Sequence, residues 1–120
     1  MIITTALTIA LAASPAADSL AGDGNELLSA CKQAIAPVQN NNEVSAQSGY
    51  CLGIVNGVGS TLIQLNDYLP KTQHTCFPRG IANVQSARIV VNYLQEHPDS
   101  RGYDGASLAM LALQKAFACP

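Results

Sequence analysis

SGYCLGIVNGVGSTLIQLNDYL, residues 48–69, is the stretch whose reading decides the fold. Cys51, Val55, Val58, Leu62, Leu65 and Leu69 recur at steps of three and four, which is one apolar stripe on a helix and not the alternation of a strand. Gly49, Gly53 and Gly57 recur every four residues on another face. A mid-helix glycine costs about 1 kcal/mol relative to alanine. Three together predict a helix-packing site, where a neighbouring helix approaches closely. The polar residues Asn56, Gln64, Asn66 and Asp67 argue against a membrane-embedded reading of the same glycines.

Helical spacing continues on both sides. Upstream, Leu27, Leu28, Cys31, Ile35 and Val38 predict a first helix, with Asn25 as its cap and Glu26 in its first turn. Pro37 and the Asn40–Asn42 run end it. Downstream, Pro70 stops the second helix, and Lys71–Gly80 reads as an irregular connector. A third helix is predicted over Asn83–Glu96, blocked by Pro98, with His97 at its C-terminal end. Asp99–Gly105 is a turn-rich loop, and a fourth helix follows over Ala106–Ala118. In that helix Met110, Leu113 and Phe117 share a face, while Leu108, Leu111 and Ala112 cover much of the rest. This describes a helix central in the core or partly buried in a partner. No alternating strand pattern occurs. The expected fold is all-α, a compact bundle of four main helices, most simply in up-and-down order.

The chain has 120 residues, 48% of them hydrophobic, 12% charged and 5% aromatic, with no Trp. Such a composition suits a packed helical domain and argues against disorder. Net charge is −2 and the basic residues are scattered singly, so nucleic acid is an improbable partner. Residues 1–21 read as a signal peptide and 22–120 as the mature domain. Met1–Ala13 is apolar but too short to span a bilayer, and Ser14-Pro15-Ala16-Ala17 provides small residues as at a cleavage site. No Lys or Arg precedes the apolar run. The expected location is the periplasm or beyond, with no stable membrane span in the mature chain.

Cys31, Cys51, Cys76 and Cys119 form no C-x-x-C pair. In an exported domain they predict disulfides. An up-and-down bundle places Cys31 and Cys51 in one half and Cys76 and Cys119 at the other end. Among the three possible connectivities it therefore favours Cys31–Cys51 and Cys76–Cys119. By the chain-entropy argument the two bridges contribute about 3 and about 4 kcal/mol. A zinc site drawing on His74 and His97 lacks the close ligand pairs such sites show. Ser29, Ser60, Thr61, Ser86 and Ser107 stand outside any nucleophile motif, and no P-loop or dinucleotide fingerprint occurs. The residues thus predict neither cofactor nor catalysis.

Four segments carry a family resemblance. Tyr50-Cys51-Leu52-Gly53-Ile54-Val55-Asn56-Gly57-Val58 resembles the YCxGY(I/V)xGV helix of the Rap/Tai family. Cys76-Phe77-Pro78-Arg79-Gly80-Ile81 is similar to its CxPxGV segment, with Gln85 at the expected distance. Val90–Pro98 is similar to VVxYLxxHP, and Ala116-Phe117-Ala118-Cys119 to the terminal AFPC. The chain departs from the pattern at Ile54 (often aromatic), Ser60 and Arg79 (often acidic) and Ala118 (often proline). The family includes immunity proteins against peptidoglycan amidases delivered by type VI secretion. The resemblance therefore implies a periplasmic protein that binds and inhibits such an amidase, and also a homodimer. Two loops suit entry into a cleft: one with Lys71, His74 and Arg79, the other with Asp99, Arg101 and Tyr103. The alternative is a periplasmic helper, chaperone-like or structural, with no dedicated toxin.

Overall fold

The computed structural model describes residues 22–37 and 45–120. The predicted signal peptide, Val38 and the Asn40–Asn42 run lie outside the described residues. Four helices form the domain: α1 Gly24–Ile35, α2 Ala46–Leu65, α3 Asn83–Glu96 and α4 Gly105–Ala116. Short 3-10 turns occupy Lys71–Gln73 and Pro98–Ser100. Among the described residues β pairing is confined to two isolated bridges, Asp23 with Asp104 and Thr75 with Ala118.

The helix ends follow capping chemistry. Asp23, not the expected Asn25, caps α1: its Oδ1 accepts from the Glu26 N–H at 3.0 Å. Asn25 sits in the first turn and donates from Nδ2 to the Arg101 carbonyl at 3.3 Å. Ser45 caps α2, its Oγ accepting from the Ser48 N–H at 3.1 Å, so that helix begins a turn-fraction before Ser48. It also ends earlier than Leu69. The N–H groups of Asn66, Asp67 and Tyr68 bond to carbonyls three residues back, and the Asn66 side chain is engaged elsewhere. Ala82 has no hydroxyl to cap α3, but the Gln85 Oε1 reaches back to its N–H at 3.1 Å, one half of a capping box.

Each helix contributes one buried stripe. Leu27, Leu28 and Cys31 meet Cys51, Val55, Val58 and Leu62, together with Val90, Val91 and Leu94 of α3. From α4 the inward residues are Leu108, Ala109, Ala112 and Leu113. Met110 and Phe117, expected to share a face with Leu113, are partly buried against this cluster. The apolar surface of α4 extends beyond the core, since Leu111 is left 51% exposed.

The simple up-and-down order is not what the chain builds. That order would put the N-termini of α1 and α4 at opposite ends, yet they are paired. The Gly24 N–H donates to the Tyr103 carbonyl at 3.0 Å, and the Gly105 N–H to the Gly22 carbonyl at 2.9 Å. A Cβ on Gly24 would come within 2.9 Å of the Arg101 backbone, and one on Gly105 within 3.0 Å of the Asp23 carbonyl oxygen. Only glycine permits this approach. The three glycines of α2 show the opposite. Among the described residues nothing lies within 4 Å of a Cβ at Gly49, Gly53 or Gly57, so no helix approaches them closely. They lie on the open face of α2, away from its buried stripe.

Cys31 is bonded to Cys51 and Cys76 to Cys119. The first bridge is fully buried between α1 and α2. The second ties the connector after α2 to the residues after α4.

Candidate partner-binding surface

Two loop systems project from this scaffold. The first joins α3 to α4. His97 closes α3, its Nδ1–H donating to the Tyr93 carbonyl at 2.7 Å while the two rings stack at 4.1 Å. Pro98 starts the 3-10 turn, and the Tyr103 N–H donates to the Ser100 carbonyl at 3.0 Å. Asp104 then caps α4: one carboxylate oxygen accepts from the Ser107 N–H at 2.8 Å and its hydroxyl at 2.7 Å. The loop backbone is also fastened to α1, since the Arg101 carbonyl accepts from the Asn25 N–H at 3.2 Å. A rigid backbone thus carries an outward side chain, Tyr103, which is 70% exposed. Beside it Tyr93, Asp99, Ser107 and Leu111 line an open cleft of about 830 Å3.

The second system is the connector. Asn66 clamps it with two amide bonds: Nδ2–H donates to the Thr75 carbonyl at 2.8 Å, and Oδ1 accepts from the Thr75 N–H at 2.9 Å. Thr75 is buried, so these bonds satisfy backbone groups that water cannot reach. The His74 Nε2–H donates to the Leu69 carbonyl at 2.8 Å. The Cys76 N–H donates to the Phe117 carbonyl at 2.7 Å and the Cys119 N–H to the His74 carbonyl at 3.1 Å. The Phe77 and Phe117 rings pack at 4.8 Å. Gly80 has φ +72°, and the Ile81 N–H points back to the Pro78 carbonyl at 3.4 Å, which is the geometry of a type II turn with glycine at its third position. Between this turn and α2 lies a smaller notch of about 280 Å3, floored by Phe77, Ile63 and Ile81 and rimmed by Asn56 and Ser60.

The six loop residues singled out by the sequence fall into two places. Lys71, His74 and Arg79 belong to the connector, beside the C-terminal end of α4. Asp99, Arg101 and Tyr103 stand at its N-terminal end. The helix has 12 residues, so about 18 Å separate the two sets. Lys71, Arg79, Asp99 and Tyr103 are exposed. His74 and Arg101 are half-buried: His74 holds the Leu69 carbonyl, and Arg101 accepts from Asn25 at its carbonyl while its buried Nε has no hydrogen-bond partner among the described residues. Leu111, read from sequence only as part of an apolar helix, adds to these surfaces, as do Tyr93 and Ile63, which were not singled out by sequence. Their signal was weak, since an apolar residue off the main stripe of an apolar helix looks like core.

Among the described residues no group of three or more His, Cys, Asp or Glu is arranged to hold a metal ion. Nor is any described helix long and apolar enough to cross a membrane. At the paired helix starts, burial pushes the Tyr50 phenol above its ordinary value, with Glu26, Asp104 and Asp23 adding to the shift. The hydroxyl is buried, with no hydrogen-bond partner among the described residues.

The family model of the Rap1a immunity proteins matches residues 23–119. The chain belongs to this family. The match runs from the Asp23 cap of α1 to the Cys119 bridge, so it includes all four helices and both loop systems of this Rap1a-type domain. No curated protein and no solved structure matches the chain significantly. The two disulfides fit an exported protein.

Proposed function

We propose that this Rap1a-family chain acts in the periplasm as an immunity protein that binds and inhibits a peptidoglycan amidase delivered by type VI secretion. The observation that carries this reading is the family match over residues 23–119, which extends over the whole stapled scaffold. Its geometry suits an inhibitor. The Tyr103 loop is held by backbone bonds to α1 and by the Asp104 cap, so little ordering entropy is lost when it docks. Tyr103 and Leu111 present an aromatic and an aliphatic anchor on one cleft, the kind of pair that carries binding energy at interfaces. The connector offers a second contact of opposite character, with Lys71 and Arg79 exposed. A homodimer belongs to the same proposal and would allow loops from two copies to act together.

The test uses a secreted amidase encoded beside this chain, mixed with the purified mature protein. Tight binding and loss of peptidoglycan cleavage are expected. Tyr103→Ala should weaken binding by about tenfold or more while leaving folding unchanged, because the side chain is exposed. Absence of both binding and inhibition by the wild-type protein would refute the immunity reading. Suppressed aggregation of several unrelated unfolded proteins would instead favour a chaperone-like helper.

A further inference from the structure

The two disulfides differ in what a nucleophile can reach. Cys31 and Cys51 have no exposed surface and lie among Leu27, Val55 and the rest of the core cluster. Cys76 is exposed and Cys119 only partly buried, at the edge where the connector meets the C-terminal tail. Thiol–disulfide exchange requires a thiolate to approach a sulfur in line with the bond, so access separates the bridges before any other property does.

We propose that Cys76–Cys119 is a thiol–disulfide exchange site, opened by dithiol reductants while Cys31–Cys51 stays closed as a structural bridge. One thiolate of the dithiol attacks the Cys76 sulfur, forming a mixed disulfide and expelling the Cys119 thiolate, which takes a proton from solvent. The second thiol of the reductant, deprotonated, then attacks its own sulfur in the mixed disulfide. Cys76 leaves as a thiolate and is protonated in turn. Two electrons pass to the protein, which gains two thiols, and the reductant departs as a disulfide.

The consequence is local because the two sides of the bridge are held unequally. The connector stays on α2 through the paired amide bonds of Asn66 to Thr75 and through His74 to Leu69. The tail after α4 is held to the connector across the seam that the bridge closes, by the Cys76–Phe117 and Cys119–His74 backbone bonds and the Phe77–Phe117 contact. Opening the bridge therefore leaves the tail to these weaker contacts and loosens the cover on one side of Phe77, which floors the notch against α2. This inference is independent of the amidase reading, since it concerns only the reactivity of the protein's own bridges.

The experiment treats the oxidised mature protein with increasing dithiothreitol at pH 8, quenches with iodoacetamide and maps the labelled cysteines. Cys76 and Cys119 should be labelled at least about tenfold faster than Cys31 and Cys51. Hydrogen exchange on the half-reduced species should show the Cys76 and Cys119 amides losing protection while α1 and α2 keep theirs. Equal labelling rates, or earlier labelling of Cys31 and Cys51, would overturn the proposal. So would loss of protection throughout α1 and α2 when the first bridge opens, since the bridge would then open only by global unfolding.

Discussion

Gly24 and Gly105 occupy the first positions of two helices whose starts are bonded to each other, and neither has room for a methyl group. At Gly24 the obstruction is the Arg101 backbone as well as the Leu108 side chain, and backbone cannot rotate away. Gly24→Ala should therefore destabilise the domain by about 1–3 kcal/mol. Gly53→Ala should do the reverse, stabilising by up to about 1 kcal/mol, because its site is open and alanine is the better helix former. Urea denaturation of the two variants checks both signs. The glycines easiest to notice in the sequence were the regularly spaced ones of α2. The sequence offers no regular spacing to mark Gly24 and Gly105, whose role depends on a contact between residues far apart in the chain. Tyr50 stands beside the same junction. Its phenol pKa is raised on folding, so the stability tied to its neutral form is present below the unfolded value near 10 and is lost as pH rises through the folded value. Tyr50→Phe should remove this alkaline loss. At pH 7 it should be neutral or slightly stabilising, because the buried hydroxyl has no partner among the described residues to lose. Denaturation curves at pH 7 and pH 10.5 separate the two effects.

The helices themselves were legible in the sequence because an apolar residue every three or four positions is a local signal. The α3 bounds agree with expectation at both ends, where Pro98 blocks continuation and Gln85 supplies half of a capping box. The ends of α2 and α4 were overrun. In both cases the chain leaves the helix to meet a distant segment: Asn66 turns to Thr75, and Ala118 pairs with Thr75 from the other side. The connector is thus an element in its own right, ordered by a side-chain amide where helices are ordered by their own backbone. Asn66→Ala would leave the N–H and carbonyl of buried Thr75 without these partners. A loss of about 1–3 kcal/mol is expected, with faster amide exchange at Thr75 than anywhere in α1 or α3. Equal exchange across connector and helices would show that the amide clamp is not what orders this segment.

For the whole molecule, the bridges act on different parts of the same fold. Chain entropy alone ranks Cys76–Cys119 above Cys31–Cys51, because its residues are 43 apart in sequence against 20. Burial reverses the ranking. Replacing Cys31 and Cys51 with alanine removes a loop constraint worth about 3 kcal/mol and also leaves a cavity in the core. The Cys31→Ala/Cys51→Ala variant should therefore lose at least as much stability as Cys76→Ala/Cys119→Ala, as thermal unfolding would show.

The helical class, the four-helix count and the disulfide chemistry of the cysteines followed from the sequence alone, since periodicity, breakers and composition act over a few residues. The family was legible too, through short motifs in the right order. Helix order in space was not. Pairing of the α1 and α4 starts, the division of the loop residues between the two ends of α4 and the unequal exposure of the two bridges all depend on contacts between distant segments. Such contacts are set by the packing of the whole core, and no local pattern encodes them. The cysteines that sequence marks only as staples are distinguished by the tertiary structure, which seals one pair in the core and leaves the other within reach of solvent.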